Sequence, residues 1–227
     1  MLRHLALSTF MFMVHFCMGQ PVVGIKAGAD RSMITVEAGT EVFPGTPDPT
    51  AEGGWGYHGG AFAEIKLHED WFLRPELVYA QRSHAYAVVF DSTLLGITAR
   101  VEADVDVKRS YLEVPLLLGY RVSEKFSAML GPSVGYLLGN NAVTTGAFTV
   151  GGFFPGLSLP FSDSNNTTTG LNELRLSLVG GFAFRTTSGF EVGMRYCHGL
   201  GYLESDTNVL RTRASVIQLA VGYAFLR

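Results

Sequence analysis

The chain has 227 residues, 47% of them hydrophobic, with 17 Lys and Arg against 20 Asp and Glu. That length suits one domain, and the mildly acidic balance argues against nucleic acid as a partner. Beyond the first twenty residues no stretch reaches about 18 uncharged apolar residues, so the hydrophobicity must serve strands and not membrane helices.

Residues 1–19 read as a signal peptide. Met1-Leu2-Arg3-His4 is a short basic start, Leu5 to Phe16 is mostly apolar, and Cys17-Met18-Gly19 places small residues where a signal peptidase reads. Cleavage before Gln20 is predicted, which leaves residues 20–227 as the mature domain. The apolar run is shorter than the roughly 20 residues a membrane anchor needs. Bulky Phe16 also disfavours acylation at Cys17. Loss of Arg3 takes the net charge to −4, and Cys197 is left without a disulfide partner in the same chain.

From there the sequence alternates with a period of two, the signature of strands. The first strand is predicted at about Val22 to Arg31, with Val23, Ile25, Ala27 and Ala29 opposite Gly24, Lys26, Gly28 and Asp30. A Gly- and Pro-rich loop over 32–54 follows. The second strand, Trp55 to Leu67, sets Tyr57, Ala61, Ala63 and Ile65 against His58, Gly60, Glu64 and Lys66. His68-Glu69-Asp70 is a tight turn. The third begins at Trp71 or Phe72 and sets Leu73, Pro75, Leu77 and Tyr79 against Arg74, Glu76, Val78 and Arg82. Pro75 lacks a ladder donor, so a bulge is expected there. The loop over 83–109 contains strand-forming text and reads as a hairpin projecting beyond the bilayer.

The fourth strand, Ser110 to Val122, sets Leu112, Val114, Leu116, Leu118 and Tyr120 against Glu113, Pro115, Leu117, Gly119 and Arg121. Ser123-Glu124-Lys125 turns into the fifth, Phe126 to Gly139, whose Gly131, Ser133, Gly135 and Gly139 oppose Leu130, Val134, Tyr136 and Leu138. The longest loop, over 140–172, is rich in Gly, Pro, Asn and Thr. The sixth strand, Glu173 to Arg185, sets five bulky apolar residues against Glu173, Arg175, Ser177, Gly181 and Arg185. Thr186-Thr187-Ser188-Gly189 leads to the seventh, Phe190 to about Leu200, with Glu191, Gly193, Arg195 and Cys197 on its smaller face. The eighth closes the chain: Ile217, Leu219, Val221, Tyr223 and Phe225 oppose Val216, Gln218, Ala220, Gly222 and Ala224.

The bulky face is the apolar one on every strand. Backbone groups in hydrocarbon must all be paired, so a sheet in a membrane has to close. The expected fold is therefore all-β: an eight-stranded antiparallel transmembrane β-barrel, an up-and-down meander. A secreted lipocalin-type barrel would place its charges outside. An even strand number, with three short turns alternating with long loops, puts both termini at the turn end, which in outer-membrane barrels is periplasmic. Tyr57, Trp71, Phe72, Tyr120, Phe126, Phe190, Tyr223 and Phe225 fall near strand ends and are expected to form interfacial girdles.

Several stretches resemble the PorT-like outer-membrane β-barrel family, a small barrel of the OmpA/OmpX kind. They are Val23-Gly24-Ile25-Lys26-Ala27-Gly28, Tyr111-Leu112-Glu113-Val114-Pro115-Leu116-Leu117-Leu118-Gly119-Tyr120-Arg121 and Gly131-Pro132-Ser133-Val134-Gly135-Tyr136-Leu137-Leu138-Gly139. Phe72 to Tyr79 resembles the family's third strand, and Arg195-Tyr196 with Gly199-Leu200 its seventh. The resemblance implies an outer-membrane barrel and little about activity, since the founding member is tied to protein secretion. Barrels of this type often end on an aromatic residue; here Leu226 and Arg227 follow Phe225.

Charges of both signs recur on the inward face: Lys26, Glu64, Lys66, Arg74, Glu76, Glu113, Arg121, Glu173, Arg175, Glu191 and Arg195. Bare charges in a narrow lumen are costly, so they are expected to pair and plug it. His58, His84 and His198 are expected near the external rim with solvent access, and none has catalytic or metal-ligand spacing. No cofactor is implied, and no enzyme motif is present. Gly53-Gly54-Trp55-Gly56 precedes no helix, which excludes a phosphate loop. The function expected is a structural scaffold that displays loops 32–54, 83–109 and 140–172 to an extracellular ligand. The alternatives are a narrow ion or small-solute channel, an outer-membrane lipid-modifying enzyme and an accessory to secretion. The expected partners are outer-membrane lipid and the barrel-assembly machinery.

Overall fold

The computed structural model describes residues 21–38, 50–94, 96–152, 156–203 and 210–225. The leader over 1–19 and its cleavage site lie outside the described residues, as do residues 39–49 of loop 32–54 and the last two residues. Among the described residues are ten strands: β1 (Val22–Ala38), β2 (Thr50–Gly53), β3 (Trp55–Lys66), β4 (Trp71–Leu94), β5 (Ile97–Arg121), β6 (Phe126–Gly151), β7 (Leu157–Asn165), β8 (Leu174–Arg185), β9 (Phe190–Gly199) and β10 (Leu210–Ala224). Eight of them, β1, β3, β4, β5, β6, β8, β9 and β10, pair each with the next, and β10 pairs back to β1 through Gly24↔Ala224 to Ala38↔Leu210. All pairings are antiparallel. This is a closed eight-stranded barrel, the all-β architecture the alternation predicts.

The burial pattern is that of a barrel with its wet side inside. In β8 Leu174, Leu176, Leu178, Phe182 and Phe184 are exposed, while Arg175, Ser177, Val179 and Ala183 are buried. In β10 Leu219, Val221 and Tyr223 face out, and Val216, Gln218 and Ala224 face in. Small inward residues make room for large ones. Phe72 lies over Gly119, where a Cβ would meet its ring at 2.1 Å. Phe72 is therefore an interior residue and no part of an aromatic girdle, because its even-numbered place in β4 points into the lumen. Paired rings on the outer surface mark the turn end, with Trp71 and Tyr120 at 5.0 Å and Phe126 and Phe182 at 5.6 Å.

Two strands lie outside the ring. β2 pairs β4, and β7 pairs β6 from Ala142↔Asn165 to Val150↔Leu157. The third, fourth and fifth predicted strands continue well past the barrel. β4 and β5 stay paired up to Leu94↔Ile97, where Gly96 adopts φ 80° in the turn. The hairpin expected over 83–109 is thus an unbroken extension of the barrel wall. The expectation for 140–172 needs correction: much of it is β-structure, because its Thr, Val and Phe residues suit a pleated sheet once a neighbouring strand is in place. Together β2, β4, β5, β6 and β7 build a sheet that projects from one end, called here the fin.

Two details of register also differ from expectation. No bulge forms at Pro75: it pairs Leu116, pairing lapses at Glu76 and Leu77, and the ladder resumes in the same register at Val78↔Glu113. The irregularity sits instead between Ser110 and Tyr111, which pair Gly139 and Leu137 and leave Leu138 as an extra residue in β6. Gly139 consequently faces outward with Ser110, and open space surrounds it. A strict period of two had placed it inward.

Candidate functional site

Alternation brings side chains from distant parts of the chain to one level of the lumen. Near the turn end Glu76 is the hub. Its carboxylate accepts from Lys26 Nζ at 2.6 Å, Arg74 Nε at 2.7 Å, and Arg195 Nη1 and Nη2 at 2.7 and 2.8 Å. Arg74 Nη1 donates to Glu64 at 3.1 Å and to Glu191 at 3.0 Å, and its guanidinium lies 3.7 Å from the centroid of the Phe62 ring. Arg185 closes the network by pairing both Glu64 and Glu191. Arg74 and Glu76 have side chains with no solvent exposure. Beside this network lies an apolar cluster formed by Phe72, Leu117, Met129, Val179, Ala183, Cys197 and Val216.

One level higher, Arg82 donates two bonds to Glu113, at 2.6 and 2.9 Å, and Nε to Asp30 at 3.3 Å. Asp30 also accepts from His58 Nδ1 at 2.5 Å and from Gln218 at 3.4 Å. Arg175 donates to the Ala214 carbonyl at 2.8 Å, and Arg109 Nε to Asn140 at 3.3 Å. Above the apolar band of β4, which ends at Tyr79, burial pushes His84 down to a pKa of about 3, and the cations Arg109 and Arg175 push the same way.

The residues expected in the lumen divide by height. Lys26, Glu64, Arg74, Glu76, Glu113, Arg175, Glu191 and Arg195 are buried inside. Arg121 sits at the turn-end mouth, 3.9 Å from Glu64, with a side chain 38% exposed. Lys66 and Glu173 are exposed at opposite ends: each has lumen parity, but the first lies at the last residue of β3 and the second before the start of β8. His58 corrects a rim expectation. It lies deep in the barrel beside Gly28, whose lack of a side chain leaves room for the imidazole. His198 does lie near the rim, 3.2 Å from Ser215. Asp30, Arg82 and Arg109 complete the buried set, with Arg185 half-buried beside them. Their parity was visible in the sequence, but their height was not. Among the described residues no group of His, Cys, Asp and Glu could hold a metal ion.

The fin reverses the polarity of the barrel wall. On its lumen-side face, Phe90, Val101, Phe148 and Leu159 form one cross-strand row through the pairs Phe90↔Val101, Val101↔Phe148 and Phe148↔Leu159. Leu157, Phe161 and Ile97 flank it. The neighbouring row on the other face is polar: Asp91, Arg100, Thr149 and Ser158, linked by Arg100 to Asp91 at 3.5 Å and Thr149 to Ser158 at 3.4 Å. Phe90, Ile97, Phe148, Leu157, Leu159 and Phe161 are 37–57% exposed.

A family model described as an outer membrane protein beta-barrel domain matches residues 22–204. This chain belongs to that family. It is an outer-membrane β-barrel protein. None of the curated proteins matches it. Among solved structures it is similar to Ail, the attachment invasion locus protein of Yersinia pestis, with 15% identity, 91% of this chain and 100% of that chain covered, and a TM-score of 0.41. It is also similar to OprG from Pseudomonas aeruginosa, with 17% identity, 92% and 98% coverage and a TM-score of 0.44. A third similar structure is Neisserial surface protein A, with 11% identity, 91% and 100% coverage and a TM-score of 0.41.

Proposed function

We propose that this outer-membrane barrel is a plugged, non-catalytic scaffold that recognises an extracellular ligand through the fin. The observation that carries this is the row Phe90–Val101–Phe148–Leu159, an apolar sheet face open to water above the lipid band. Contiguous exposed apolar surface on a rigid frame is where association with a partner is most favourable. The plug is supported by Val78, Ala80, Leu117, Val216, Arg74 and Asp30, none more than 2% exposed, and by the ion pairs that fill the space between them. The turn-end cavity of 710 Å³ reaches inward only as far as Glu64 and Arg185. In this reading both termini and the three short turns are periplasmic, and the fin is outside the cell. Export by a leader cleaved before Gln20 and insertion by the barrel-assembly machinery deliver the chain to that orientation. The stretch from Tyr111 to Arg121 supports a place near PorT-like members of the family.

Two measurements test the proposal. In planar bilayers the folded protein should give no steady conductance; stable open steps would overturn the plug. Cells that display the full chain, and cells that display a chain with 87–104 and 142–165 each replaced by a short turn, should differ in adhesion to an array of extracellular proteins and glycans. Equal adhesion of the two would overturn recognition by the fin.

A further inference from the structure

Among the described residues every buried lumen cation but two, and half-buried Arg185 as well, has a carboxylate within 3.3 Å. Lys26, Arg74 and Arg195 have Glu76, Arg82 has Glu113 and Asp30, and Arg185 has Glu64 and Glu191. The exceptions are Arg109 and Arg175, only 6% and 7% exposed. Among the described residues no carboxylate lies within 4.0 Å of either. Arg109 spends Nε on Asn140, and its Nη1 is buried with no partner. Arg175 spends Nη2 on a backbone carbonyl and stands 5.8 Å from the centroid of the Tyr111 ring. The guanidiniums of Arg82 and Arg175 each stand 5.8 Å from the Tyr111 ring centroid, and Arg109 is two residues before Tyr111 on the same face of β5, at the upper end of the lumen. His84, opposite Val107 one step above, is 5% exposed and has a buried Nε2 without a partner.

A buried charge without a counter-charge is costly, and a buried donor left unmade adds to the cost. Here two such charges and two such nitrogens line the outer part of the lumen within two steps of Tyr111 on β5. We propose that Arg109 and Arg175, with His84, form a binding site at the outer end of the lumen for a small oxyanion, a carboxylate, sulfate or phosphate group. Guanidinium forks suit that geometry, since their paired N–H donors match two oxygens of one anion. Asn140 holds the Arg109 fork from behind. Arg82 is unavailable as a third donor, because Glu113 takes both of its terminal nitrogens.

The test uses the full mature chain folded in detergent micelles at low ionic strength. Sodium sulfate, inorganic phosphate and sodium acetate are titrated separately, with sodium chloride at matched ionic strength as the control. At least one oxyanion should raise Tm saturably above the chloride control, and the one that saturates at the lowest concentration identifies the group. In Arg109→Gln the saturable rise should weaken by about tenfold or more, the loss of one charge-assisted bond. The same variant should melt higher than the wild type when no oxyanion is present, since it removes an uncompensated charge. A purely structural Arg109 would move that second readout the other way. If Arg109→Gln does not fold, Asn140→Ala, which frees the fork and keeps the charge, should also weaken saturation. The proposal is overturned by oxyanion curves that match chloride, or by an increment that survives unchanged in these variants.

Discussion

Glu76→Gln tests the lumen network at its hub. The carboxylate receives four hydrogen bonds from three cations and has no solvent exposure. A pair of unit charges 4 Å apart at an effective dielectric near 20 is worth about 4 kcal/mol, so three such pairs set an upper bound of roughly 12 kcal/mol before relaxation. Relaxation and shared partners cut this: Arg74 keeps Glu64 and Glu191. Removing one partner of a buried pair costs about 3–5 kcal/mol in measured cases, and that is the expected loss here. For a chain of this size it corresponds to a fall in Tm of roughly 6–20 °C. Lys26→Met removes one of the three cations and leaves Glu76 with Arg74 and Arg195, so it should cost well under half as much. The assay is urea unfolding in detergent or lipid vesicles, followed by tryptophan fluorescence and by the shift in gel mobility between folded and heated barrel. A Glu76→Gln variant within about 1 kcal/mol of wild type, or a Lys26→Met variant as damaged as Glu76→Gln, would refute the hub.

Three further outcomes are expected. Leu116→Arg, at the centre of the outward row of β5, should cost about 2–4 kcal/mol in vesicle unfolding, whereas Thr149→Arg on the polar face of the fin should stay within about 0.5 kcal/mol. Gly119→Ala places a Cβ 2.1 Å from the Phe72 ring and should cost about 1–3 kcal/mol alone, but far less in a Phe72→Leu background, as a double-mutant cycle will show. His84 is held neutral in the folded barrel, with its pKa lowered from 6.5 to about 3. Below pH 6.5 the unfolded chain therefore takes up a proton there that the folded one refuses, and this contribution to stability is lost as the pH falls from 6.5 towards 3. Over that range the unfolding stability of the wild type should fall relative to that of His84→Gln.

The parts of the structure legible in the sequence are those that depend on parity alone. Lys26, Arg74 and Arg195 could be assigned to the lumen because period two decides which face a residue takes. Height along the barrel depends instead on how eight strands are staggered, and no local pattern carries that. Hence Lys66 and Glu173, right in parity, stand exposed at the barrel's ends, and His58, expected at a rim, is buried against Asp30 on β1. Glu76 is likewise unreadable as a hub, because its donors Lys26 and Arg195 are 50 and 119 residues away in the chain. The fin was half legible. Its β4–β5 hairpin has a clean apolar and polar alternation, Val101, Ala103 and Val105 against Glu102, Asp104 and Asp106. The β6–β7 hairpin is disguised by Gly, Thr, Ser and Pro, residues that favour loops until a paired strand holds them.

The bulge at Leu138 explains why the fin's face is continuous. Below it, β6 presents its odd-numbered residues to the lumen, ending at Leu137 opposite Tyr111. Had that phase continued, Thr145, Ala147 and Thr149 would lie on the face shared with Val101, while Phe148 and Val150 would join Arg100 and Glu102 on the other. The extra residue shifts the phase by one, so that Phe148 aligns with Val101 and Leu159. A bulge inserts one residue in one strand and leaves the partner strand untouched, so β4 and β5 keep their own phase from turn to tip. In β4 and β5 the two amphipathic patterns, one required by lipid and the other by water, meet through residue choice alone, whereas in β6 they meet at the bulge. Deleting Leu138 should return the upper part of β6 to the wrong face, leave the barrel below it closed, and scramble the apolar row of the fin. Closure would be read from heat-modifiable mobility, and the fin from proteolysis between residues 141 and 165. A deletion that leaves the fin as protease-resistant as wild type would show that the row does not depend on this residue.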